Sequence, residues 1–237
     1  APARRLGQWL AGVGNGNQQG ERYLTDVVAM AVADEVDVVA HAVADLDESL
    51  GVNDKVQLAA AERALQRRQA HQLMQAGLTL RDPARFDLRG QAVFGGDCVI
   101  DINVVLEGLV ELGERVTIGP NCQVRNARLG DDVVIHSNCV IDDVKVGAGA
   151  QIGPFARLRP GTELAANVRV GNFVEIKKSQ IGADTKVNHL AYIGDSDIGD
   201  AVNIGAGVIT CNYDGVGKHK TVVGDGAFIG ANTQLVA

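Results

Sequence analysis

From Phe94 onward the chain carries an aliphatic or aromatic residue every sixth position: Phe94, Ile100, Leu106, Leu112, Ile118 and Val124. After a step of five the series resumes at Leu129, Ile135 and Ile141, and then at Val146, Ile152, Leu158, Leu164, Val170 and Ile176. Further fives lead to Ile181, Val187, Ile193, Ile198 and Ile204. Two residues before most of these sits a small or β-branched side chain, such as Cys98, Val116, Cys122, Cys139, Ala150, Ala156, Thr185 or Ala191. Gly follows many of them, as at Gly113, Gly119, Gly153 and Gly182. Neither an α-helix nor an ordinary strand has this period. A six-residue repeat predicts a solenoid in which each hexad supplies one short strand and one corner. Three hexads close a triangular coil, and coils stack about 4.8 Å apart, as neighbouring strands do. The aliphatic and the small residue both point inward, because a triangular lumen cannot hold two large side chains per face.

Composition agrees with many tight corners: 29 glycines and only 4% aromatics. A net charge of -7 argues against a generally nucleic-acid-binding surface. No apolar run approaches the roughly 20 residues of a membrane span, and the opening APARRLGQWLAG does not read as a signal peptide. The four cysteines form no CxxC pair or dense framework, which fits a reduced cytoplasm. Three of them occupy the small inward slot and are read as packing residues. The five histidines show no zinc-ligand spacing, which argues against a metal-dependent hydratase on the same scaffold.

Residues 1–80 follow a different grammar, mixed α/β. ERYLTDVVAMAVAD (21–34) predicts a helix and VDVVAHAV (36–43) a short buried strand. A long amphipathic helix is expected from about Asp54 to Ala76, with Asn53 or Asp54 as N-cap and Gly77 beyond its C-terminus. The expected divisions are 1–53 as the end of an α/β domain, 54–80 as a linker helix, and 81–237 as the solenoid.

Repeat arithmetic says which polar residues can meet. Arg159 and Lys177 are 18 residues apart, one full coil, and should stack on one face. Two cations so placed suit a phosphate; a solvated charge ladder is the plain alternative. His189 falls two places after Val187, and one coil on the same slot holds Ala206, which leaves room beside the imidazole. Imidazole titrates near pH 6.5 in model peptides, so its neutral form can accept a proton near neutrality (about 6.5). A satisfied surface histidine is the alternative. After Thr210 the rhythm breaks at CNYDGVGKHK, which predicts a protruding loop opened by Asn212 and Tyr213, with Lys218 and Lys220 within reach of a phosphate.

The segments AGLTLRDPARFDLRG, IGPFARLRPG, VGNFVEIKKSQIG, NHLAYIGDSDIG and NIGAGVITCNYDG resemble the bifunctional N-acetylglucosamine-1-phosphate uridyltransferase/glucosamine-1-phosphate acetyltransferase family. The resemblance implies a left-handed parallel β-helix acetyltransferase domain, preceded by the end of a uridyltransferase domain. It implies acetyl transfer from acetyl-CoA to glucosamine-1-phosphate, for UDP-N-acetylglucosamine synthesis, by a cytoplasmic homotrimer. By the same carry-over His189 is the general base, Arg159 and Lys177 hold the phosphate, and Tyr192 and Asn203 contact the sugar. Ala206, Asn212, Tyr213 and Ala231 line the acetyl-CoA side, with Ala231 standing where the family commonly has serine. Glu175 is a candidate to orient the base, or else to pair with Lys177 or Lys178. Asn53 matches a residue that helps hold Mg²⁺ in the uridyltransferase domain. The family's glycine-rich nucleotide loop and metal-binding aspartate are missing, so uridylylation by this chain is not expected. The chain stops at Ala237, before the coils and arm that complete the family's acetyl-CoA site. A catalytically silent trimeric module is therefore the alternative.

Overall fold

The computed structural model describes residues 3–18 and 20–236, and the chain divides into two compact units, Ala1–Gly51 and Val52–Ala237. The first unit holds helices α1 (Ala3–Gly12) and α2 (Asp26–Ala33) and a 3-10 turn at Leu46–Ser49. Trp9, Val13, Val27 and Ala31 form its small core, and the Trp9 indole donates to Asp34 at 2.8 Å. Helix α1 was not anticipated, and α2 begins later than the sequence pattern suggested. The strand expected at 36–43 is absent: the segment has no regular structure, and Val39 is 88% exposed. A strand needs a neighbour to take its backbone donors and acceptors. This unit offers none among its described residues.

The second unit opens with α3 (Lys55–Gln75). The Asp54 carboxylate accepts from the Gln57 amide at 2.7 Å, while the Gln57 side chain accepts from the Asn53 amide at 2.6 Å. That is a reciprocal cap satisfying two otherwise orphaned donors. Gly77 ends the helix at φ +108°. The helix is only weakly amphipathic, burying Ala64, Gln66 and Ala70; Ala70 joins Leu78, Leu80 and Phe86 at the start of the solenoid core.

From Thr79 the chain coils as a left-handed parallel β-solenoid. One nine-stranded sheet forms the first face, with strands including Gln151–Ile152, Arg169–Asn172, Lys186–His189, Asn203–Ile204 and Phe228–Ile229. The other sheet covers two faces because its early strands bend at a corner. Strand Val140–Val146 pairs with Arg157–Leu158 at one end and with Thr162–Leu164 at the other. Every pairing between coils is parallel, and the inward residues fall in register, as in Ile152, Val170, Val187, Ile204 and Ile229 on the first face.

The lumen is filled as the repeat required. Cys98, Cys122, Cys139, Val116, Ala150 and Thr185 are fully buried beside the aliphatics. Burial pushes the Cys98 thiol up, and Cys139, hydrogen-bonded to Cys122 and buried with it, is pushed up further. Such thiols resist forming the reactive thiolate. The five-residue steps have a visible cause. Between the second and third faces the corner loses one residue, so the pairing of Val104–Leu112 with Gln123–Leu129 shifts between Glu107 and Val110. Left-handed residues turn this corner at Asn126, Asp143, Lys178 and Asp195.

Candidate functional site

His189 ends a first-face strand, at the corner leading to the second face. Direct pairing places it beside Asn172, and the Val187–Ile204–Ile229 register carries Ala206 and then Ala231 into the same column. The His189 Nδ1 lies 3.2 Å from Asn172 Oδ1. Because that oxygen can only accept, Nδ1 carries the proton, and Nε2 is left with a lone pair. Nε2 has no hydrogen-bond partner among the described residues, and the ring is exposed. The small Ala206 above it leaves the adjoining space open.

The second face carries the cations. Leu158 pairs with Ile176, and the Arg159 amide donates to the Ile176 carbonyl at 2.9 Å, so Arg159 and Lys177 are neighbours one coil apart. Their repulsion is offset by two carboxylates. Arg159 meets Glu175 at 2.7 Å, and Lys177 lies 3.7 Å from Asp195. The expectation that Glu175 orients the base or pairs with a lysine is corrected here. Glu175 lies directly in line with Arg157 on the strand and reaches both Arg157 and Arg159, while Asn172 meets the histidine.

Tyr192 pairs with Glu175 below and Ile209 above. Its ring lies across Gly194, where an added Cβ would sit 2.7 Å from the tyrosine Cζ, so only glycine accommodates that pose. Asn203 stands on the first face between Lys186 and Phe228, three residues before Ala206. Asn212 is 7% exposed and its amide donates to Asp195, which ties it to Lys177. It does not join the His189 column. Tyr213 is exposed on the loop, its hydroxyl donating to the Gly215 carbonyl at 2.7 Å. Asp214 holds that loop, accepting from the amides of Gly217 (2.7 Å) and Val216 (2.8 Å) and meeting His219 Nε2 at 2.7 Å. These donors hold its carboxyl well below the usual carboxylate range. Lys220 pairs with Asp197.

The Asn53 amide donates to the Gln57 side chain, and no cluster of three or more His, Cys, Asp or Glu able to hold a metal occurs among the described residues. The residues present do not fit a Mg²⁺ site. The sequence reading missed Asn172 and Asp195. Counting 17 residues back from His189 would have found the first.

Beside the histidine column runs a corner whose residues all adopt left-handed backbone. Asn103, Asn121 and Asn138 give way to Phe155, Phe173 and Leu190, at φ +56°, +57° and +51°. The phenyl rings stack at 5.4 Å between centroids and are half exposed. Bulky residues are rare at positive φ and cost of order 1 kcal/mol each there. An exposed apolar ridge thus adjoins the site. A groove of about 760 Å³ lies elsewhere, along an edge lined by Arg128, Lys145, Glu163 and Asp197.

Comparison with known proteins agrees with this geometry. Residues 109–143, 126–160 and 143–178 match the family described as bacterial transferase hexapeptide (six repeats). The chain is 60% identical over 237 residues to the bifunctional protein GlmU of Alkalilimnicola ehrlichii, an alignment covering 100% of this chain and 51% of that protein. The chain belongs to the GlmU family. The GlmU of Marinobacter nauticus is 55% identical over 235 residues (99% of this chain, 52% of that one), and that of Methylococcus capsulatus 56% over 238 residues (100% and 51%). The chain spans about half the length of these GlmU relatives.

Proposed function

We propose that the chain transfers the acetyl group of acetyl-CoA to the 2-amino group of glucosamine-1-phosphate. The observation that carries this reading is the His189 ring, tethered through Nδ1 to Asn172 with its other nitrogen exposed below Ala206. In this reading Nε2 takes the amine proton as nitrogen attacks the thioester carbonyl, and coenzyme A leaves. Arg159 and Lys177 hold the sugar phosphate, exchanging part of their carboxylate pairing for it. Tyr192 and Asn203 bracket the sugar from the two walls that meet at the corner. Ala206, Ala231 and the loop of Asn212 and Tyr213 form the acyl-carrier side.

Such walls diverge around an edge, so a second copy closes the site most simply, and the exposed Phe155–Phe173–Leu190 ridge supports a homotrimer formed by one repeated contact. The product would serve UDP-N-acetylglucosamine synthesis in the cytoplasm. Among the described residues no helix is long and apolar enough to cross a membrane. The uridylyl transfer of a longer protein, and the Mg²⁺ it would use, involve no residue placed at this site.

The test is coenzyme A release with glucosamine-1-phosphate as acceptor. His189→Ala should lower the rate by about 10²–10⁴-fold, the usual contribution of a general base, with an unchanged circular dichroism spectrum. Full activity in the variant would remove His189 from this role. No release by the unaltered chain would favour a silent structural module.

A further inference from the structure

Three pairs of like-charged cations stack one coil apart on this solenoid. Arg128 lies against Lys145, Arg159 beside Lys177, and Arg169 against Lys186. Like charges directly opposite on neighbouring strands destabilise a sheet. In the first pair each member has its own carboxylate: Arg128 takes Glu111, and Lys145 takes Glu163 at 2.7 Å. In the second, Glu175 and Asp195 do the same. The third pair differs. Its column on the first face runs Gln151, Arg169, Lys186, Asn203, with a neutral amide at each end where the first pair has glutamates.

Neither Arg169 nor Lys186 makes an ion pair among the described residues, and both are exposed. They line an open groove of about 560 Å³ with Gln151, Asn203 and one carboxylate, Asp184, which pairs with neither. The groove therefore keeps an excess of positive charge, with amide N–H donors above and below it.

We propose that Arg169 and Lys186 form an anion site for a diphosphate group, with Gln151 donating to its outer oxygens. Two cations carried on neighbouring strands about 4.8 Å apart suit two linked phosphoryl groups better than a single one. The site is distinct from the Arg159–Lys177 pair, which lies on another face. Lys186 is three residues from His189, about 10 Å along an extended strand. The inference does not depend on the acyl-transfer reading.

The experiment titrates the chain with inorganic diphosphate by calorimetry, in an Arg159→Gln/Lys177→Gln background that removes the other cation pair. Adding Arg169→Gln/Lys186→Gln should weaken binding at least tenfold and flatten its dependence on salt. Gln151→Glu alone, which supplies the missing carboxylate, should weaken binding severalfold and leave the thermal midpoint equal or higher. Unchanged affinity in the quadruple variant, or in Gln151→Glu, would overturn the proposal. A parallel titration with coenzyme A identifies the source: weakening by the same substitutions assigns the group to a carrier, and indifference to them assigns it to a free diphosphate.

Discussion

The side-chain oxygen of Asn172 lies 3.2 Å from Nδ1 of His189, one coil away on the same face. With Nδ1 donating to that oxygen, Nε2 is the ring nitrogen left to accept a proton. The consequence can be measured. Asn172→Ala should reduce kcat by about tenfold with little change in KM, because the ring loses its orientation and tautomer. Asn172→Asp places a carboxylate beside Nδ1, which favours the imidazolium. The low-pH limb of activity, where the imidazole becomes protonated, should then move to higher pH, and ¹⁵N shifts of the His189 ring should report the same displacement. A pH profile unmoved by aspartate would show that Asn172 does not act on the histidine.

Arg159 bonds to Glu175 at 2.7 Å, and the same carboxylate is 3.9 Å from Arg157. Arg159→Ala should raise KM for glucosamine-1-phosphate about tenfold or more, in keeping with a lost charge-assisted hydrogen bond of about 1.5–3 kcal/mol. Stability should change little, since Glu175 keeps Arg157 as a partner and exposed pairs contribute about 0–1 kcal/mol. An unchanged KM would identify the ladder as solvated surface.

The Phe155–Phe173 stack occupies corner positions that lower coils fill with asparagine. Substituting both with Asn should preserve or raise the stability of the single chain, because asparagine tolerates left-handed backbone better. It should also shift the chain toward monomer in light scattering. An oligomeric state unmoved by the substitutions would place any contact between copies elsewhere.

The Asp214 turn gives a pH prediction. Its folded carboxyl is held well below the usual carboxylate range, first by the Gly217 and Val216 amides and then by His219. A depressed folded pKa means the stabilisation is present above about 4 and disappears as pH falls through the folded value. Amide proton shifts of Val216 and Gly217 should therefore titrate with a midpoint below 3.8. A midpoint at or above that value would mean that the loop is not held by this residue.

Much of the solenoid was legible because its grammar is periodic. Each hexad buries one aliphatic and one small side chain, and nearly every position singled out for that reason, from Ile100 to Ile204, is inside. The Arg159–Lys177 adjacency and the His189–Ala206 column follow from the same count. The segment 36–43 misled for the opposite reason. Its valines look like a buried strand, but β pattern is realised only when a partner strand is present, and here Val39 is 88% exposed.

What the amino-acid order determined alone is the coil, its lumen and which residues share a wall, since stacking at strand spacing converts sequence distance directly into position. Only the tertiary structure decided which neighbour each polar head takes: Glu175 reaching Arg159, Asp195 joining Lys177 to Asn212, and Asn172 meeting His189. Backbone register is imposed by hydrogen bonds that every residue type makes alike. A long side chain instead settles by the charge, reach and room around it, and those belong to adjacent coils.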